Sequence, residues 1–138
     1  MTTARDLMSS PVDSLFESNS LIDAAAALAR ADVGSMPVTG EDGGLVGVLT
    51  DRDIVVRAIA EGKDPSECTV GDIMTSDVAT VSPDANEEQV LECLSSNQIR
   101  RVPVIENGKL VGVISQADVA RELSAKDTGD VVEAISRH

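Results

Sequence analysis

Aromatic side chains are almost missing from this chain: it has no Trp, no Tyr and a single Phe, Phe16. Proteins that hold single-stranded nucleic acid stack its bases on aromatic rings, and that platform is not available. Positive charge is also scarce, with 11 Lys and Arg against 24 Asp and Glu and a formal net charge of −13. Such a field repels phosphate backbones, so nucleic acid is not an expected partner. The one histidine, His138, is the last residue. No nucleophile elbow, P-loop, HExxH or Gly-x-Gly-x-x-Gly pattern occurs. No catalytic residue is therefore assigned, and the chain reads as non-enzymatic. Cys68 and Cys93 share no metal-ligand or redox spacing, so no metal site is assigned either. Cys93 falls beside Val90, Leu91 and Leu94 in a helical pattern, which suits a buried, inert thiol. No apolar run approaches a membrane span and the first residues carry no signal-peptide core, so the expectation is no membrane and a cytoplasmic address.

What is present is a duplicated unit. Arg101-Val102-Pro103-Val104-Ile105 and Leu110-Val111-Gly112-Val113-Ile114 flank Asn107-Gly108, the strongest short hairpin signal. Ser115-Gln116-Ala117-Asp118 follows as a helix start. Upstream, Ser35-Met36-Pro37-Val38-Thr39 and Leu45-Val46-Gly47-Val48-Leu49 lead to Thr50-Asp51-Arg52-Asp53. Pro37 and Pro103 stand 66 residues apart, as do Met8 and Met74. A period this long describes two tandem modules, each marginal for an independent core. The 138 residues, 42% of them hydrophobic, suit one compact domain in which the two copies share an interior.

The expected boundaries are repeat 1 over 1–62, a linker over 63–69, repeat 2 over 70–125 and a helical tail over 126–138. Each repeat reads as a helical turn, a short strand (Val12–Phe16 and Val78–Val81), a helix, the hairpin and a second helix. The first repeat's helices bury Leu21, Ala25, Leu28 and Ala29, then Ile54, Ala58 and Ile59. Gly62 ends the second of them. Asn86 to Gln89 forms a capping box 66 residues after Ser20. The tail carries Val131, Val132, Ala134 and Ile135 at helical spacing.

Thr50 to Asp53 and Ser115 to Asp118 admit two readings. In one, each is a capping box: the hydroxyl accepts from the Asp amide and the carboxylate accepts from the cap amide. In the other, the helix start also serves an anionic ligand, and the Asp accepts from a ribose diol. The two roles can coexist.

Two copies of a strand–Pro–strand–Gly-x-x-Thr/Ser-x-x-Asp–helix unit resemble a pair of CBS domains, together a Bateman module. The resemblance covers roughly residues 4–125. It is nearest to small stand-alone pairs of the hypoxic response protein kind, through Leu49-Thr50-Asp51-Arg52-Asp53 and Gln98-Ile99-Arg100-Arg101-Val102-Pro103. It implies an α/β fold of two pseudo-twofold-related repeats, each a small three-stranded sheet packed with helices. It also implies clefts between the repeats that take AMP, ADP, ATP or S-adenosylmethionine. On that resemblance Asp53 and Asp118 hold ribose hydroxyls, and Thr50 and Ser115 sit near ribose or phosphate. Met36-Pro37 and Val102-Pro103 flank adenine, and Arg100 and Arg101 meet phosphate. The first repeat has Gly34 and Ser35 at the positions of the two arginines. The family further implies a homodimer formed through helices, with Val55, Val56 and Ala120 on the shared face, and a protein partner still to be identified. The alternative is a ligand-free stress-response or interaction module whose acidic dimer surface is the signal.

Overall fold

The computed structural model describes residues 2–10 and 12–126. The expected tail helix lies outside them. The elements are α1 (Ala4–Leu7), β1 (Leu15–Phe16), α2 (Leu21–Ala31), β2 (Ser35–Thr39), β3 (Leu45–Thr50), α3 (Asp51–Asp53, running on as a π-helix over Ile54–Ile59), α4 (Val70–Ile73), α5 (Glu87–Ser96), β4 (Arg101–Glu106), β5 (Lys109–Ser115) and α6 (Gln116–Lys126).

The chain divides into two compact units. One holds Asp13–Val78 with Asn107–Leu110; the other holds the described residues up to Val12, Ala79–Glu106 and Val111–Lys126. The packing units are thus offset from the repeats in sequence: each repeat's leading helical turn packs with the other repeat's strands.

In the first unit, β1 pairs parallel with β2, and β2 pairs antiparallel with β3, with Ser35 opposite Thr50 and Pro37 opposite Val48. Its core joins Leu15, Leu21, Ala24, Leu28, Met36, Val38, Leu49 and Ala58 to Val70 and Ile73 of α4. Backbone bonds fix α4 there: Val70 N–H donates to the Asn19 carbonyl at 2.9 Å, and Val48 and Thr75 exchange two bonds of 2.9 Å. Helix α2 buries Leu21, Ala24 and Leu28, whereas Ala25 and Ala29 of the expected stripe are exposed.

The helix after β3 departs further from expectation. Its Ile54–Ile59 stretch is π-helical, with the Ala60 N–H bonded to the Val55 carbonyl. The β-branched run Ile54-Val55-Val56 crowds the α-helical ladder, which favours leaving it. Ala58 is fully buried, but Ile59 turns outward and is 52% exposed. Gly62 ends the run at φ 75°, a conformation glycine adopts without steric cost.

In the second unit, β4 and β5 form a two-stranded sheet. The expected strand Val78–Val81 shrinks to one parallel bridge between Val81 and Val104. Its core gathers Ala4 and Leu7 of α1 with Val90, Leu94, Val102, Val104, Ile114 and Val119. Asn107 and Gly108 close the hairpin with φ of 53° and 79°, as a two-residue Asn-Gly loop requires. Asn86 and Gln89 form the expected capping box on α5. Cys93 is partly buried, and loss of solvation pushes its thiol pKa up.

Candidate functional site

Both strand-to-helix junctions close as capping boxes. Thr50 Oγ1 accepts from the Asp53 N–H at 2.9 Å, and Asp53 Oδ2 accepts from the Thr50 N–H at 3.0 Å. Ser115 and Asp118 repeat the exchange at 3.0 Å in both directions. Capping alone does not single these pairs out. Thr3 with Asp6 and Thr69 with Asp72 make the same box at α1 and α4, which motif reading overlooked although the Thr-x-x-Asp spacing was there to be read.

Burial and a second partner separate the two classes. Asp72 is exposed, and the Thr69 amide and hydroxyl keep its carboxyl below the usual carboxylate value. The Asp53 and Asp118 side chains are recessed, with 12% and 15% of their surface exposed. A carboxylate withdrawn from water needs further compensation, and an arginine one turn along supplies it. Arg57 Nε lies 3.7 Å from Asp53 Oδ1, and Arg121 Nη2 pairs with Asp118 Oδ1. In each case the cap uses one oxygen and the arginine faces the other. These arginines were legible as i+4 and i+3 pairs but were not assigned. Arg57 also donates to the Ile73 and Met74 carbonyls at 3.2 and 3.4 Å, closing the end of α4.

The strand starts that precede the boxes are tied to them. The Asp51 N–H donates to the Gly34 carbonyl and the Gln116 N–H to the Arg100 carbonyl, both at 2.9 Å. The β2–β3 register sets Ser35 opposite Thr50, with Met36 and Pro37 opposite Leu49 and Val48, and Arg100 leads into β4, which carries Arg101, Val102 and Pro103, beside the Ser115–Asp118 turn. Met36 and Val102 are core residues, 5% and 0% exposed; at these positions backbone groups, not those side chains, are what a ligand can meet. Arg100 and Arg101 are exposed. Two open grooves lie on the first unit, one of them at the Gly34–Asp51 junction of the first cap. One of about 530 Å³ touches Ala25, Ala29, Gly34, Asp51 and Val55, and one of about 460 Å³ lies at the hairpin end, by Phe16, Thr39 and Asp42.

The strand–cap–helix unit thus occurs twice, once in each compact unit. A CBS domain match covers residues 4–59 and 70–125, and the chain belongs to the CBS domain family. It is 39% identical over 135 residues to Hypoxic response protein 1 of Mycobacterium tuberculosis, spanning 98% of this chain and 94% of that protein. The crystal structure of Hypoxic Response Protein I with two coordinated zinc ions superposes with a TM-score of 0.82 at 41% identity, over 89% of this chain and all of that one (100%). The CBS domain pair of protein MJ0100, solved with 5′-methylthioadenosine and S-adenosyl-L-methionine, gives 0.78 at 30% identity over 92% and 99% of the two chains. CBSX2 in complex with AMP gives 0.79 at 28% over 92% and 100%. Among the described residues no group of three or more His, Cys, Asp or Glu is placed to hold a metal ion. Among them, too, no helix is long and apolar enough to cross a membrane.

Proposed function

We propose that this CBS pair is a non-enzymatic, cytoplasmic sensor of an adenosyl ligand: AMP, ADP, ATP or S-adenosylmethionine. The observation that carries the reading is the pair of recessed carboxylates, Asp53 and Asp118, each with one oxygen committed to its cap and the other turned to a displaceable arginine. A ribose diol can take the outer oxygen without opening the cap. Thr50 and Ser115 then sit beside the ribose, and Met36-Pro37 and Val102-Pro103 offer backbone groups to adenine. Two relatives of similar fold were solved with adenosyl compounds, which supports this class. Ligand binding regulates only if it favours one arrangement of the chain over another.

Titration calorimetry with AMP, ATP and S-adenosylmethionine tests the reading. Asp118→Asn keeps an acceptor for the Ser115 amide but removes the charge. It is expected to weaken binding at that site roughly 10- to 100-fold, the value of a hydrogen bond to a charged group. Thermal stability should move little. Undiminished affinity in a folded variant would remove Asp118 from the site.

The second reading is a ligand-free stress-response or interaction module, favoured by similarity to a protein named for the hypoxic response. We further propose a homodimer through the helix after β3. Val55, Val56 and Ile59 are 58%, 44% and 52% exposed, an apolar cluster that suits a second copy of the same face. Ala120, on α6 of the other unit, is half-buried. Val55→Glu is expected to convert the dimer to a monomer in analytical ultracentrifugation; an unchanged mass would place the interface elsewhere.

A further inference from the structure

The two caps are alike in geometry and differ in charge: the second carries Arg100 and Arg101, whereas the first carries Asp51 with Arg52 beside it in sequence. The identical 2.9 Å amide bonds make Gly34 the structural counterpart of Arg100, and Asp51 the counterpart of Gln116. At the second cap the strand start therefore carries Arg100 and Arg101 beside an uncharged Gln116. At the first cap the same places hold Gly34 and Ser35 beside the carboxylate of Asp51. That carboxylate leans over Gly34: its Oδ2 lies 3.3 Å from where a Cβ would stand, so even a small side chain there would crowd it. Its Oδ1 accepts from the Arg52 N–H at 2.8 Å, which holds it at the junction. Asp51, Arg100, Arg101 and Gln116 are all exposed, so their charges are available to a ligand.

We infer that the two caps sort adenosyl ligands by charge. The second, at Ser115–Asp118, takes a 5′-phosphate; the first, at Thr50–Asp53, takes an adenosyl group without phosphate, such as a thioether or a sulfonium. This rests on the ribose reading above and adds the ligand class of each repeat. A phosphate at the second cap gains charge-assisted bonds from the arginines. The same phosphate at the first cap meets the Asp51 carboxylate, and like charges at short range oppose it. A neutral thioether feels no such opposition, and a sulfonium is attracted. The helix start alone would favour anions at both caps, so the side chains decide between them.

Calorimetry of the full chain with AMP and with 5′-methylthioadenosine tests this. AMP is expected to fill one site per chain, and Arg100→Gln to weaken it roughly tenfold or more. Gln116→Asp, which copies the first cap's charge into the second, should weaken AMP by roughly two- to fivefold and leave 5′-methylthioadenosine within a factor of about two. Asp51→Gln should raise AMP occupancy from one site toward two. Both changes are at exposed positions, and circular dichroism confirms folding. AMP filling two equal sites in the unaltered chain, or Asp51→Gln and Gln116→Asp leaving AMP binding unchanged, overturns the sorting and leaves the ribose reading standing. Binding of neither compound overturns both.

Discussion

A chain lacking residues 1–9 is expected to lose cooperative folding of the unit built on β4 and β5, even though those residues lie before the first repeat's own helix and hairpin. Ala4 and Leu7 are 0% and 5% exposed and belong to that unit's core. Their backbone is bound there as well. The Ala4 and Arg5 amides donate to the Ala85 and Pro83 carbonyls at 2.7 and 3.0 Å, and Ser9 and Val113 exchange bonds of 2.9 and 3.2 Å. Arg5 adds an ion pair to Glu106, worth little because both side chains are largely in water. Removing a buried leucine and alanine, with the void they leave and the carbonyls they uncover, costs roughly 4–6 kcal/mol. That is a large fraction of the stability of a domain this size. Urea unfolding followed by circular dichroism suits a chain without Trp or Tyr, and hydrogen exchange over 79–126 localises the loss. A midpoint within about 1 kcal/mol of the intact chain would show that the leading turn is ornamental.

That exchange of leading turns was not legible in the sequence, and the reason is physical. Asp6-Leu7-Met8 and Asp72-Ile73-Met74 carry the same pattern, and a four-residue helix offers the same two apolar contacts to either repeat. Which sheet it covers is decided by tertiary geometry. The hairpins and caps were legible because their chemistry is local: Asn107-Gly108 selects its turn, and Asn86 with Gln89 closes its box. The phase of α2 was lost in its run of Ala24 to Ala27, where neighbouring positions present no contrast and the buried one turned out to be Ala24. Ile59 was misassigned because an α-helical period was carried through a stretch that is π-helical. For the candidate site, the capped aspartates were legible as a motif. Their burial and the arginines on their outer oxygens depend on packing, which the motif does not contain.

Gly47→Ala is expected to destabilise the first unit by roughly 2–4 kcal/mol, and Gly112→Ala, its counterpart in the second, to cost its unit a similar amount. Neither glycine is among those with positive φ, so the cause is close approach rather than backbone conformation. A Cβ on Gly47 would stand 2.7 Å from the Thr75 carbonyl oxygen and 2.8 Å from Met74 Sδ. The carbonyl cannot retreat, because Thr75 and Val48 are joined by two backbone bonds of 2.9 Å. Relief requires opening that bridge or shifting β3. At Gly112 the obstruction is the side chain of Met8, with Cγ and Cβ at 2.7 and 2.8 Å. A new rotamer moves Met8 Cγ but not its Cβ, and the Met8 backbone is held by the two bonds between Ser9 and Val113, as Thr75 is held by Val48. Denaturant melts of the two variants check both losses. Met8→Ala should restore little of what Gly112→Ala loses, since the Cβ remains, and Met74→Ala should not rescue Gly47→Ala, since the Thr75 carbonyl remains. The consequence reaches the candidate site: β3 runs from Gly47 directly to Thr50, so a strand displaced at the glycine also displaces the cap that aims Asp53. Adenosyl binding at the first cap should therefore fall with stability in Gly47→Ala, and a loss of stability below about 1 kcal/mol in that variant would show that the backbone clash is not the cause.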